Sequence, residues 1–291
     1  MVGPRGNRRN DPGPTSRLTV TIAEVMRQSG LDLREAELLM AFAAGRSRTW
    51  VFAHANDPLD EVRLRDFRKL AQRRIDGEPV AYLLGKRAFW TVELGVAPGV
   101  LIPRCETEVL VEAALASMRS LSAPRVLDMG TGSGAIALAL ASERPDAEVL
   151  ATDLDTTALE IARANAQRLE LGNVEFRQSA WFDALAGDCF DIIVSNPPYI
   201  AEADRHLEQG DLRFEPRHAL ASGEDGLDAL REIIAGAPQF LPDSGWLAVE
   251  HGFDQAESVQ ALFHQADFGD VRTHADLQRH LRVTEGRAAK W

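Results

Sequence analysis

Val126-Leu127-Asp128-Met129-Gly130-Thr131-Gly132-Ser133-Gly134 is an apolar run, of the kind a buried β-strand needs, that empties into a glycine-rich turn. Ala135 to Ala141 then reads as a helix, Glu148 to Thr152 as a second strand, and Asp153 stands at that strand's tip. Strand, glycine turn, helix and strand in this order predict a doubly wound α/β unit with a parallel sheet. Glycines let the backbone turn tightly and let a ligand approach the main chain. An acidic residue about 20 positions beyond them, on the second strand's tip, is placed to bind ribose hydroxyls. That pair fits a nicotinamide dinucleotide or a nucleoside cofactor. Gly130, Gly132 and Gly134 alternate rather than follow G-x-G-x-x-G, and no basic residue stands in the turn to meet a pyrophosphate. Both features favour a cofactor without phosphates, such as S-adenosylmethionine.

Downstream, the short apolar run Phe190 to Ser195 ends in Asn196-Pro197-Pro198-Tyr199. A strand ending this way offers a carboxamide, a proline carbonyl and an aromatic face at one tip. The Asn196 oxygen and the Pro197 carbonyl can each accept one N–H of a flat NH2 group, with the Tyr199 ring packed on its plane. Strands are read near 125–128, 148–152, 173–177, 190–195 and 245–250. Ligands in such sheets bind beyond the carboxyl ends of the strands, where Gly130–Gly134, Asp153, Trp181 and Asn196 all fall.

These segments together resemble class I S-adenosylmethionine methyltransferases that act on a planar NH2. The finer likeness is to the bacterial protein-glutamine N5-methyltransferases that modify peptide chain release factors. It is carried by Asp128 to Gly134, Asp153, Asn196 to Tyr199, Gly77 to Tyr82, Gly85 to Trp90, Val100 to Glu108, Ser179 to Phe182, Glu250 to Gly252 and Arg282 to Arg287, in order along the chain. The resemblance implies a seven-stranded, mainly parallel sheet, completed by two more strands near 268–274 and 281–286, with a small N-terminal helical domain. It implies S-adenosyl-L-methionine bound by Gly130, Thr131, Gly132, Ser133, Gly134, Asp153, Trp181 and Asn196. It also implies Asn196, Pro197, Pro198 and Tyr199 as the substrate tip, with Asn196, Pro197 and Tyr199 as catalytic groups. The implied partners are release factors 1 and 2, methylated on the glutamine of the Gly-Gly-Gln loop. Cys105 stands where the family usually has Pro, and Ala180 where it often has Asp, which removes one acceptor for an adenine amino group. A ribosomal-protein glutamine methyltransferase, an adenine-N6 DNA methyltransferase and a non-catalytic binding protein are the competing readings.

Composition agrees with an enzyme of ordinary make-up. The chain has 291 residues, 45% apolar and 26% charged, with a net charge of −12. No apolar run approaches the ~20 residues of a membrane span, and the arginine-bearing N-terminus lacks the apolar core of a secretory signal. Two cysteines, Cys105 and Cys189, without metal-ligand spacing, fit a reduced, cytoplasmic, metal-free protein. Arg5, Arg8, Arg9 and Arg17 against Asp11 give residues 1–17 a charge of +3, leaving −12 − 3 = −15 for the rest. This Gly-, Pro- and Arg-rich stretch reads as a disordered tail. The acidic remainder is ill suited to a phosphate backbone, which argues against direct DNA binding, and suits a basic protein partner.

Residues 18–76 are expected to form a helical domain. A first helix lies near 20–28 and a second ends near Gly45, carrying Ala36, Leu39, Met40 and Ala43. A third carries Leu64, Phe67, Leu70, Ala71 and Ile75. Residues 77–104 are read as an extended, hairpin-like linker and 105–291 as the methyltransferase domain. Glu106 and Glu108 read as residues favouring a helix start, and His251 as structural.

Overall fold

The computed structural model describes residues 20–289; the expected tail of residues 1–17 lies outside them. The chain divides into two compact units, Met1–Asp76 and Gly77–Trp291.

Among the described residues of the first unit four helices form: α1 (Ile22–Gln28), α2 (Leu33–Ala44), α3 (Arg48–Ala53) and α4 (Glu61–Ile75). Each starts on a polar side chain that accepts an otherwise orphaned backbone N–H: Thr21, Asp32, Ser47 and Asp60. Gly45 closes α2 in the left-handed conformation. Ala36, Leu39 and Met40 of α2 and Phe67 and Ala71 of α4 are all buried, and the two helices pack together. The sequence pattern omits α3, because a six-residue helix with only Val51 buried leaves no periodic signature.

The second unit opens with α5 (Val80–Leu84) and the antiparallel hairpin β1 (Lys86–Phe89) and β2 (Val92–Gly95). The expected extended segment 77–104 is thus helical over five residues. Pro79 precedes that turn and Gly85, at φ +69°, ends it, so alternation begins only at Lys86.

Beyond α6 (Glu108–Ser117) comes the βα succession β3 (Arg125–Met129), α7 (Ala135–Glu143), β4 (Glu148–Asp153), α8 (Thr156–Arg168), β5 (Val174–Gln178) and β6 (Ile192–Ser195). It continues through α9 (Asp228–Gly236), β7 (Trp246–Glu250), α10 (Ala256–Gln265), β8 (Phe268–Ala275) and β9 (Leu281–Ala288). The seven strands lie in the order β5-β4-β3-β6-β7-β9-β8. β3 to β7 pair in parallel, while β9 runs antiparallel to β7 and to β8. Side chains alternate between two cores. Val126, Ile192 and Val194 face one with α6 and α7; Leu127, Met129 and Ile193 face the other with α9 and α10. Helix α7 is buried from Ala135 through Ala141, apolar on every side as a helix packed within a core must be.

Chain order reverses at β3: β4 and β5 lie to one side and β6 to the other, so a crevice opens between the carboxyl ends of β3 and β6. The register pairs Met129 with Ser195, which sets Gly130 and Asn196 side by side at the mouth of that crevice. Asn165, on α8, braces this end. Its Oδ1 accepts from Gly95 N–H at 2.7 Å, and its Nδ2 donates to Gly95 O at 3.0 Å and to Ser133 O at 2.9 Å. Asn165→Leu should therefore destabilise the protein by about 2–4 kcal/mol, since buried backbone groups left unpaired cost ~1–3 kcal/mol each. Urea unfolding checks this, with an unchanged midpoint as the contrary result.

Candidate active site

The crevice is a cavity of about 210 Å3. Its floor is the turn after β3. Gly130, Gly132 and Gly134 adopt φ of +70°, +57° and +85°, a region that a Cβ strains. A Cβ on Gly134 would also stand 3.0 Å from Leu138 Cδ1 and 3.2 Å from Ala162 Cβ. The turn is anchored from beneath by Asp128, which is fully buried. Its Oδ2 accepts from the Thr131 hydroxyl at 2.6 Å and from Ala137 N–H at 3.0 Å, while Oδ1 is buried without a partner. Burial pushes the Asp128 carboxyl up to about 7, against the two hydrogen bonds, which favour its ionised form.

At the tip of β4 the Asp153 carboxylate accepts from Gly132 N–H and from Asp155 N–H, both at 2.9 Å. It thereby ties the glycine turn to the second strand while lining the cavity, and burial raises its pKa. Trp181 comes from the loop after β5. It is held at φ +42° in a turn in which Ser179 Oγ donates to Trp181 O at 2.9 Å and accepts from Ala184 N–H at 3.1 Å. Its ring stands over Gly130, where a Cβ would meet Cζ3 at 3.8 Å.

The opposite wall is made by Gly99, Val100, Leu101, Pro103 and Arg104 together with His218 and Ala219. Glu215, buried, joins the two segments: Oε2 accepts from Ile102 N–H at 2.9 Å and Oε1 takes the Arg104 guanidinium. Tyr82 steadies the same segment by donating to Val100 O at 2.5 Å. Arg104, a cation in the cavity wall, is thus already paired with a carboxylate.

At the end of β6, Asn196 Nδ2 donates to Thr107 Oγ1 at 3.0 Å. Pinned through its nitrogen, the carboxamide keeps Oδ1 as its acceptor, and Asn196 lines the cavity. Tyr199 turns away from this wall. Its hydroxyl donates to Glu250 Oε1 at 3.0 Å, its carbonyl accepts from Gln255 Nε2 at 3.0 Å, and its ring packs against the core on the α9–α10 face. Glu250, at the end of β7, is buried with Oε2 unpartnered. Burial pushes it up to about 7, with the Thr107 and Tyr199 hydroxyls and Arg282 opposing.

Of the residues singled out in the sequence, Gly130, Thr131, Gly132, Ser133, Asp153, Trp181, Asn196 and Pro198 line one cavity. Gly134 serves as the start of α7 instead. Pro197 is buried and, like Tyr199, lies outside the cavity lining. The expectation that the Tyr199 ring packs on a substrate amide is corrected to this extent: its hydroxyl is committed to Glu250. Glu108 accepts from Trp90 N–H at 2.9 Å and so holds the hairpin. His251 is buried, bonding Thr284 Oγ1 at 2.9 Å and Gly252 O at 2.8 Å. Among the described residues, no three His, Cys, Asp or Glu side chains gather as a metal set, and no helix is long and apolar enough to cross a membrane.

Thr107, Glu215 and the roles of Asp128 and Glu250 are not evident from sequence spacing. A charged residue within an otherwise apolar strand, as at Asp128 and Glu250, was the available signal for the last two.

Glycine turn, acidic strand tip and Asn-Pro-Pro-Tyr tip around one crevice of a seven-stranded sheet are the arrangement of a methyltransferase. Residues 106–212 match the methyltransferase small domain model and residues 21–85 the PrmC N-terminal domain model. The release factor glutamine methyltransferase of Xylella fastidiosa (strain 9a5c) is 50% identical over 276 residues, covering 95% of this chain and 98% of that protein. That of Escherichia coli (strain K12) is 47% identical over 254 residues, 87% and 91% of the two chains. The solved 16S rRNA N2 G1207 methyltransferase of T. thermophilus shares the fold, with a TM-score of 0.53 and 21% identity over 70% of this chain and 49% of that one. The chain belongs to the release factor glutamine methyltransferase family.

The Asp128 pKa carries a consequence for stability. A carboxyl whose folded pKa lies above its unfolded value stabilises the fold at low pH and loses that contribution as pH rises towards the folded pKa. Asp128→Asn has no such titration, so its stability relative to wild type should improve between about pH 4 and pH 7. Urea midpoints measured across that range test this; a constant difference contradicts it.

Proposed function

We propose that this protein transfers the methyl group of S-adenosylmethionine to the side-chain amide nitrogen of the glutamine in the Gly-Gly-Gln loop of peptide chain release factors 1 and 2. The observation that carries the reading is the Asn196 carboxamide. It is fixed through Nδ2 to Thr107, and Asn196 lines the cavity that the glycine turn and Asp153 also line.

The residues fit the cofactor. The turn offers backbone with no Cβ to obstruct a ligand at Gly130 and Gly132, and an acidic tip stands ready for ribose hydroxyls. Trp181 supplies an aromatic face, and the wall's cation Arg104 is paired with Glu215 rather than open to a phosphate. When bound, the cofactor supplies an electrophilic methyl on a sulfonium.

The chain's own residues then have to hold a weak nucleophile, since the amide lone pair is delocalised into its carbonyl. Asn196 Oδ1 accepts an amide N–H, which fixes the nitrogen and favours its pyramidalisation. No strong general base is needed, because an N-alkylated amide cation sheds a proton readily. Tyr199 braces the tip from the side away from the cavity through Glu250 and Gln255. The net charge of −12 favours a basic protein surface over DNA as the partner.

Asn196→Ala should retain the wild-type melting temperature and lose about 10²-fold or more in turnover of a release factor. Asn196→Asp, still an acceptor, should fall between the two. Asp153→Ala should weaken cofactor binding by about tenfold or more in calorimetry, the loss of hydrogen bonds to a charged acceptor at ~1.5–3 kcal/mol each. Full turnover in folded Asn196→Ala contradicts the reading of this tip, and unchanged affinity in Asp153→Ala contradicts the ribose assignment.

A further inference from the structure

We propose that Glu215 tunes the cavity to the charge of its cofactor: by cancelling Arg104 it lets the site hold a sulfonium in preference to the neutral thioether that methyl transfer leaves. The inference rests on the reading of this cavity as the S-adenosylmethionine site.

The cofactor and its product differ in charge. S-adenosylmethionine carries an ammonium, a carboxylate and a sulfonium. Methyl transfer breaks the sulfur–methyl bond and leaves its electron pair on sulfur, while the alkylated nitrogen sheds a proton to solvent. The product, S-adenosylhomocysteine, therefore has one positive charge and one methyl fewer. Among the described residues lining the cavity, Arg104 and Asp153 bring full charges of opposite sign, and His218 adds an imidazole.

Arg104 stands near the reacting end. Its carbonyl accepts from Thr107 N–H at 3.2 Å, and Thr107 Oγ1 accepts from Asn196 Nδ2 at 3.0 Å. One short turn thus separates the Arg104 backbone from the residue that touches Asn196, and the reacting sulfur has to face the amide held there. A free guanidinium in this wall repels a sulfonium and is indifferent to a thioether, so it favours product over cofactor.

Glu215 prevents this. Its side chain is 0% exposed and both oxygens are used. Oε2 accepts from Ile102 N–H at 2.9 Å, and Oε1 takes the Arg104 guanidinium, whose side chain is 31% exposed. Glu215 does not itself line the cavity, so it acts through Arg104. With that pair neutral, the Asp153 carboxylate, bonded to two backbone N–H groups, sets the sign of the wall and attracts a cation. A buried carboxylate is a costly fastening. Joining the two loop segments needs only a neutral acceptor for Ile102 N–H, which a glutamine supplies. What the charge adds is the cancellation of Arg104.

The test measures binding of S-adenosylmethionine and S-adenosylhomocysteine by calorimetry, with melting temperatures, in full-length wild type, Glu215→Gln, Arg104→Met and the double variant. The readout is the preference, the Kd of the thioether divided by that of the sulfonium, because a wall that merely loosens weakens both ligands alike. A unit charge in the same wall, acting at an effective dielectric constant of about 20 and screened by its partial exposure, changes affinity on the order of tenfold. Glu215→Gln, which keeps an oxygen for Ile102 N–H and leaves Arg104 charged, should shift the preference about 5–20-fold towards the thioether. Arg104→Met, which leaves the Glu215 carboxylate, should shift it about threefold or more the other way. The double variant, neutral like the wild-type pair, should return to within about twofold of wild type. An unchanged preference in folded Glu215→Gln overturns the inference. So does tighter binding of both ligands by that variant, which would mean that the freed guanidinium takes the carboxylate they share. If Glu215→Gln does not fold, Arg104→Met decides, and a preference unchanged or moved towards the thioether overturns the inference. Wild type that binds neither ligand sinks the cofactor reading itself, whereas wild type that binds both, with the preference unmoved in the variants, sinks only the role of Glu215.

Discussion

The parallel ladder of β4, β3, β6 and β7 is the constraint on which the site depends. Parallel strands in register end together, and here their ends place Asp153, Gly130, Asn196 and Glu250 in one row. Each is the residue at which, or just after which, regular pairing stops, so each is free to turn its side chain or backbone to a ligand or a neighbour. The two cores above and below the sheet hold that row rigid. Positioning of this kind is what an amide nucleophile requires, because the barrier lies in orientation and in deforming the amide, and little is left for proton transfer to do.

The same row carries the electrostatic cost of the site. Asp128 and Glu250 are both buried carboxyls with one oxygen unpartnered. Each sits beneath a functional backbone segment, Asp128 under the glycine turn and Glu250 behind the Asn-Pro-Pro-Tyr tip. Buried polar groups stiffen what they hold when satisfied and cost stability when they are not. Two of them beneath one crevice mark it as the place where the fold gives up stability for geometry.

Much of this was legible in the sequence because the signals were local. The alternation of Gly130, Gly132 and Gly134 after an apolar run, and Asp153 at the next strand end, are properties of consecutive residues, and the cavity does gather them. The central parallel strands β3, β4, β6 and β7 were legible because strands buried on both faces read as apolar runs, whereas the antiparallel pair β8 and β9 followed only from the family resemblance. What was not legible depends on partners distant in sequence. Thr107 meets Asn196 across 89 residues and Glu215 meets Ile102 across 113, and neither threonine nor glutamate advertises such a contact. The Tyr199 ring is the instructive case. An aromatic beside two prolines suggested stacking on substrate, but Glu250, 51 residues on, takes its hydroxyl. The helical turn Val80–Leu84 was missed for the opposite reason, five residues being too few for a helical period to show.

The central claim is that this row of strand ends delivers a methyl group to a glutamine side-chain nitrogen. Tandem mass spectrometry of a release factor incubated with the protein and deuterated-methyl S-adenosylmethionine tests it most directly. The account predicts one labelled methyl on the side-chain amide nitrogen of the Gly-Gly-Gln glutamine, and none when that glutamine is replaced. Label on any other residue, or label undiminished in the replaced factor, would contradict it.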